Sequence, residues 1–250
     1  VRGAWRGVVG RRALTTDDKG PDAVARRRKT NQRTVRENVE DLVDDGSFVE
    51  YGPLVVAAQR QRRGLEDLLT RSPADGLITG VGSVNGDLFD DPASQAAIMA
   101  YDYTVFAGTQ GVHNHWKTDR IIDISQQGRL PFILFAEGGG GRPGDTDYGG
   151  FVGQNTFHHF GQLSGLVPMV SIVSGRCFAG NAALLGCCDV IIATEDANIG
   201  MGGPAMIEGG GLGVFAPEEI GPLSVQTASG VVDIAVADEA EAVAAAKKYL

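Results

Sequence analysis

Apolar and polar positions change period several times along the chain, and those changes mark its elements. In residues 23–45, Val35, Val39, Leu42 and Val43 recur at helical spacing beside Arg26-Arg-Arg-Lys29, and Gly46 follows; the spacing predicts one amphipathic helix. Ser47-Phe-Val-Glu-Tyr51 reads as a short strand, and residues 54–76 as charged and weakly helical. From residue 77 the runs become apolar. Strands are predicted at 76–84, 100–107, 130–136, 167–174 and 189–194, with a turn at Asp90-Asp-Pro-Ala-Ser94. Helices are predicted at 113–127, around Phe157, Phe160 and Leu163, at 179–187 and at 235–249; residues 1–22 read as irregular. Apolar strands alternating with helices indicate an α/β fold around a buried parallel sheet. The first 75 residues read as a helical extension or cap, and residues 76–250 as the domain proper.

The chain has 250 residues, 43% of them hydrophobic, enough for one large core. No apolar run reaches the roughly 20 residues of a membrane span, and Val1-Arg-Gly-Ala-Trp lacks the apolar stretch expected of a signal peptide. Cys177, Cys187 and Cys188, an odd number in apolar surroundings, indicate reduced thiols and a cytoplasmic protein. The net charge of −9 is uneven: residues 1–75 carry 15 basic against 12 acidic residues, the remainder 7 against 19. The basic residues fall on the polar face of a predicted helix, so a solvated face is expected and nucleic-acid binding is not. His113-Asn-His115 reads as structural hydrogen bonding, Cys187-Cys188 and His158-His159 lack zinc spacing, and no metal site is expected.

Two loops carry the candidate chemistry. Phe135-Ala-Glu-Gly-Gly-Gly-Gly-Arg142 follows one apolar strand, and Ser174-Gly-Arg-Cys-Phe-Ala-Gly-Asn181 follows another and opens a helix. Gly139-x-Gly141-x-x-Gly144 matches the dinucleotide spacing, but Pro143, Gly144, Gly149 and Gly150 oppose an immediate helix and no acid closes a following strand. No Gly-Lys-Ser/Thr is present, so a P-loop is excluded. Two backbone loops after neighbouring buried strands can converge their N–H groups as an oxyanion hole. The same glycines can equally serve only to pack a helix close to the sheet.

Segment 167–202 resembles the core of the ClpP/crotonase superfamily. More narrowly, Phe106-Ala-Gly-Thr-Gln-Gly-Val-His-Asn-His-Trp-Lys-Thr-Asp-Arg120, the Glu137–Arg142 loop, Gly202-Gly-Pro-Ala-Met-Ile-Glu208 and residues 219–241 are similar to the carboxyltransferase component of biotin-dependent acyl-CoA carboxylases. The resemblance covers roughly residues 30–250 and implies a crotonase-like ββα spiral with the two loops side by side. It implies the N-terminal, acyl-CoA-binding half of an enzyme that moves a carboxyl group from carboxybiotin to the α-carbon of an acyl-CoA. The C-terminal carboxyltransferase half, a biotin carboxyl carrier and a biotin carboxylase are the implied partners, in a homo-oligomer, with biotin carried elsewhere and a CoA ester as substrate.

On that resemblance, backbone groups of Gly140, Gly141, Ala179 and Gly180 stabilise the enolate oxygen, while Gly139, Arg142, Lys117 and Arg120 bind the acyl-CoA. Glu137 is expected to pair with Arg142. The sequence departs from the family at Gly138-Gly-Gly-Gly-Arg142, where the family has Ser-Gly-Gly-Ala-Arg, at Ala179 in place of a glycine, and near Gln226 in place of a His. Crotonase hydratases carry a Glu where Ala183 stands, which opposes the alternative of an enoyl-CoA hydratase or isomerase. A non-catalytic acyl-CoA-binding or assembly module is the remaining alternative.

Overall fold

A computed structural model describes residues 2–148 and 155–250. Ten α-helices and nine strands are present among the described residues. The first part holds α1 (Arg2–Ala13), α2 (Pro21–Lys29), α3 (Val35–Leu42), β1 (Val49–Tyr51) and α4 (Leu65–Arg71). The middle holds β2 (Leu77–Ser83), β3 (Gln95–Tyr101), α5 (Val112–Gly128), β4 (Phe132–Phe135), α6 (Thr156–Gly161) and β5 (Met169–Val173). Next come β6 (Arg176–Phe178), α7 (Gly180–Leu185), β7 (Val190–Thr194), β8 (Asn198–Gly200), α8 (Pro204–Gly209), α9 (Leu223–Ala228), β9 (Ile234–Val236) and α10 (Glu239–Tyr249).

The main sheet has seven strands in the order β1-β2-β3-β4-β5-β7-β9. From β3 to β9 the pairing is parallel, with Ile98 opposite Ile133, Ile133 opposite Val170 and Ile172 opposite Ile192. The edge β1-β2-β3 is antiparallel, so the sheet is mixed rather than parallel throughout. β1 comes from the first 75 residues and completes the sheet edge, which corrects the expectation of a detached cap. β6 and β8 form a second, two-stranded sheet. The chain therefore repeats a β-β-α unit: β5-β6-α7, then β7-β8-α8, with one strand of each unit in each sheet. A parallel bridge from Gly138 to Cys177 brings the residues after β4 to the same small sheet.

Alternation along the strands divides the core in two. Met99, Phe132, Leu134 and Met169 face Ile121 and Ile122 of α5, Phe160 of α6 and Leu184 of α7. Ile98, Ile133, Phe135, Val170 and Ile172 face Val35, Val39 and Leu42 of α3 and Ala242, Val243 and Ala246 of α10. Strands buried on both faces explain the near-continuous apolar runs.

Four element boundaries differ from the sequence reading. Residues 23–45 form two helices: Asn31 has φ +56°, and Thr34 starts α3 through a capping box with Glu37. Residues 2–13 are helical, and the Thr15 and Thr16 hydroxyls donate to the Arg12 and Ala13 carbonyls near its end, each at 2.8 Å. The strand expected at 100–107 lies at 95–101, because Asp102 accepts the Thr104 amide at 2.9 Å and turns the chain. The last helix begins at Glu239, capped by Asp238, and residues 234–236 extend the sheet.

Candidate active site

The two loops lie side by side because the small sheet stitches them together. The Gly138 amide donates to Arg176 O and the Phe178 amide donates to Gly138 O, both at 2.8 Å. On its other side the glycine run is held by the segment before α5. The Gly139 amide donates to Ala107 O at 3.0 Å, the Gln110 amide to Gly140 O at 2.7 Å and the Arg142 amide to Gln110 O at 2.8 Å. Three stretches of chain, 107–110, 138–142 and 176–181, thus form one backbone mesh at the ends of the central strands.

The four consecutive glycines have different reasons. A Cβ on Gly138 would collide with the side-chain amide of Asn181 and with Gly108 O. Gly140 has φ +83°, and a Cβ there would lie 2.7 Å from Ala179 Cβ. A Cβ on Gly139 would lie 3.3 Å from Thr109 Cγ2, a tight approach, whereas one on Gly141 would meet nothing within 4 Å. Gly141 therefore borders open space. That space is a pocket of about 420 Å³ lined by Gln110, Val112, His115, Gly141, Phe157 and Gly180, among others.

Hydrogen bonding decides which amides face the pocket unengaged. The Gly140 amide donates to Asn181 Oδ1 at 3.0 Å, and the Ala179 amide donates to Gly200 O at 3.0 Å. The N–H groups of these two expected oxyanion donors are already bonded within the protein. The Gly139 amide, expected at the substrate, is likewise held by Ala107. Among the described residues the amides of Gly141 and Gly180 have no hydrogen-bond partner. Gly180 is the first residue of α7, where the N–H groups have no carbonyl within the helix to bond. The Gln110 side chain closes over Gly180, its Nε2 donating to the buried Tyr101 hydroxyl at 3.0 Å and its Oε1 crowding Gly180 Cα.

Two of the three cations expected at the acyl-CoA are turned into the protein. Arg142 turns inward: its guanidinium pairs with Asp75, donates to Thr109 O at 2.8 Å and to Asp75 O at 3.2 Å, and stacks on Phe106 with the centroid at 5.1 Å. Lys117 is buried, and its ammonium donates to Ala74 O at 2.8 Å and to Leu77 O. Burial lowers its pKa to about 8. Those carbonyls lie in and just after a turn in which Ala74 and Asp75 both have positive φ, so Lys117 braces a strained connection. Arg120 is exposed, on the rim of a cleft of about 400 Å³ lined also by Tyr51, Val55, Val56 and Trp116.

Glu137 does not pair with Arg142. Its Oε1 meets Arg27 Nη1 at 2.8 Å, in a buried cluster that includes Glu239. Burial raises the Glu137 carboxyl to about 7 against the opposing effect of Arg27. His113 Nδ1 lies 2.7 Å from Val56 O and its Nε2 3.0 Å from the Tyr148 hydroxyl. His115 Nδ1 lies 3.0 Å from Thr156 Oγ1, and burial lowers its pKa to about 4. Among the described residues no group of three His, Cys, Asp or Glu side chains is placed to hold a metal ion.

Sequence reasoning missed Gln110, His115 and Phe157 as pocket residues. His115 was read as structural, Gln110 only as part of a motif, and Phe157 as one of three residues on a predicted helix face. Phe157 is 40% exposed, while Phe160 and Leu163 of the same face are buried. Gln110 had one usable signal, an isolated amide between Gly108 and Gly111.

Residues 26–250 match the model of the carboxyl transferase domain. The chain belongs to the carboxyl transferase domain family. It is 29% identical over 236 residues to the propionyl-CoA carboxylase beta chain of Cereibacter sphaeroides, covering 93% of this chain and 44% of that one. It is 30% identical over 241 residues to the methylmalonyl-CoA carboxyltransferase 12S subunit of Propionibacterium freudenreichii subsp. shermanii, covering 92% and 42%. The carboxyl transferase chain thus spans less than half the length of these relatives. Among solved structures, a single-chain, multi-domain long-chain acyl-CoA carboxylase superposes with a TM-score of 0.95 at 60% identity, covering all of this chain and 25% of that one. Transcarboxylase 12S, in a structure described as having hydrolysed methylmalonyl-CoA bound, superposes with a TM-score of 0.83 at 25% identity, covering all of this chain and 48% of that one. The crotonase-like fold read from the two loops is the fold of these neighbours.

Proposed function

We propose that this carboxyl transferase chain is the acyl-CoA half of a biotin-dependent acyl-CoA carboxylase carboxyltransferase. The observation that carries the reading is that Gly141 and Gly180, whose amides have no partner among the described residues, both line one pocket of about 420 Å³. A thioester oxygen placed between them gains two N–H donors as negative charge moves onto it from the α-carbon. The preceding residues serve by holding the loops rigid, so the donors need not reorganise during the reaction. Carboxybiotin, delivered by a carrier from a biotin carboxylase, would supply the carboxyl group; its contacts are assigned to the C-terminal carboxyltransferase half and none to this chain.

The pocket favours this reaction over hydration or isomerisation, which need an acid-base side chain. Ala183 stands at the hydratase glutamate position, and Asp145, on the pocket wall, is held by Arg142, Gln59 and the Val112 amide. Burial lowers the His115 pKa to about 4, which leaves it a weak base. Supporting a missing half, Met201, Met206, Leu212, Val214, Phe215 and Val225 are all exposed along residues 201–225. Supporting oligomerisation, the transcarboxylase 12S relative is described as a hexamer assembly. The 60% identical neighbour supports a long acyl chain, and three free cysteines support a cytoplasmic setting.

The test is reconstitution. The chain alone should bind acyl-CoA esters and fail to carboxylate them, and joining it to a C-terminal half with carboxylated carrier should restore turnover, faster with long-chain than short-chain esters. No calorimetric acyl-CoA binding in either state would overturn the reading in favour of an assembly module. Among the described residues no helix is long and apolar enough to cross a membrane.

A further inference from the structure

Asn181 follows Gly180 on the first turn of α7 and has no exposed surface. Its Oδ1 accepts the Gly140 amide at 3.0 Å, and its Nδ2 donates to Gly108 O at 3.2 Å and to Glu137 O at 3.5 Å. One side chain therefore ties together all three stretches of the mesh, and Gly138 is a glycine because this amide fills the space above it. The peptide joining Gly140 to Gly141 is held on its Gly140 side. Its carbonyl accepts the Gln110 amide at 2.7 Å, and Asn181 fixes the residue before it. In a trans peptide the N–H points opposite to the C=O, so the Gly141 N–H is directed away from Gln110 N.

We propose that Asn181 is a positioning residue that sets the separation and direction of the Gly141 and Gly180 amides. This rests on the oxyanion reading of those two amides. Truncating Asn181 frees the Gly140 amide and two buried carbonyls, and the glycine run relaxes against α7. A misplacement on the order of 1 Å at a reacting group costs about 10²-fold in rate.

The experiment uses the complete enzyme that carries this chain. Carboxylation kinetics, affinity for free CoA and the infrared carbonyl stretch of bound ¹³C=O acyl-CoA are measured for wild type, Asn181→Ala and Asn181→Asp. Asn181→Ala should lower kcat about 10²-fold, reverse most of the carbonyl shift, and leave the Kd for free CoA, which lacks a thioester, within about two-fold. Asn181→Asp retains an acceptor for the Gly140 amide but sets a second oxygen against Gly108 O and Glu137 O. Its activity should therefore recover as the pH falls and that oxygen gains a proton, a profile that a packing role would not produce. If the alanine variant does not fold, the isosteric aspartate carries the test. A full carbonyl shift in Asn181→Ala, or a flat pH profile in Asn181→Asp relative to wild type, overturns the proposal. No carbonyl shift in the wild type would instead overturn the oxyanion reading itself.

Discussion

Arg142 and Asp75 form an ion pair in which the two side chains are only 3% and 0% exposed. The pair joins the end of the glycine loop to the turn entering β2. Burial raises the Asp75 pKa, and Arg142 opposes that rise. Removing Arg142 would leave a buried carboxyl without its cation. Arg142→Ala should cost about 3–5 kcal/mol in denaturant unfolding. Asp75→Asn added to Arg142→Ala should cost less than the sum of the single changes. CoA affinity of the folded fraction should stay unchanged; a selective loss of CoA affinity would restore a binding role.

Gly140 and Gly141 should respond differently to valine. At Gly140 the positive φ and the contact with Ala179 predict a fall in melting temperature first. At Gly141 the side chain enters open space, so the complete enzyme should fold normally and lose about 10²–10³ in kcat. Thermal melts and steady-state kinetics on both variants check this. Unchanged turnover in folded Gly141→Val would remove that amide from the reaction.

His115 should make the protein sensitive to acid. In the unfolded chain its pKa is near 6.5, whereas burial, aided by Arg142, holds it at about 4 in the fold. Between those values the unfolded state binds the additional proton, so stability falls as the pH drops from 6.5 to 4. The slope from this one group is at most about 1.4 kcal/mol per pH unit. Urea unfolding of wild type and His115→Gln across that range should converge toward low pH. An imidazole NMR signal titrating near 6.5 would contradict the expectation.

Thr34 offers a change away from the pocket. Its hydroxyl accepts the Glu37 amide at 3.2 Å, and the Glu37 carboxylate accepts the Thr34 amide at 2.8 Å. Thr34→Ala should lower stability by about 1 kcal/mol without altering kcat in the complete enzyme. A matching loss of kcat would mean that α3 is coupled to the pocket.

The main apolar strands and the helices between them from residue 77 to 194, the position of both loops and the family could be read from the chain alone, whereas the helix at residues 2–13 and the short strands at 176–178, 198–200 and 234–236 could not. What could be read rests on local properties: apolar runs buried on both faces, glycine where a loop leaves a strand, and motifs in a fixed order. The split between α2 and α3 was also written locally, as Thr34-x-x-Glu37, but the longer apolar period across residues 23–45 masked it. Donor identity was a different matter. Four residues, Gly140, Gly141, Ala179 and Gly180, look equivalent in sequence, yet among the described residues only two of their amides have no partner, because Asn181 and Gly200 take the others. The cations behaved similarly. Arg142 and Lys117 turn inward because a distant turn at Ala74-Asp75 offers a carboxylate and carbonyls that need partners. Hydrogen-bond partners separated by 20 residues or more are chosen by how the strands stack, and no local pattern encodes that choice.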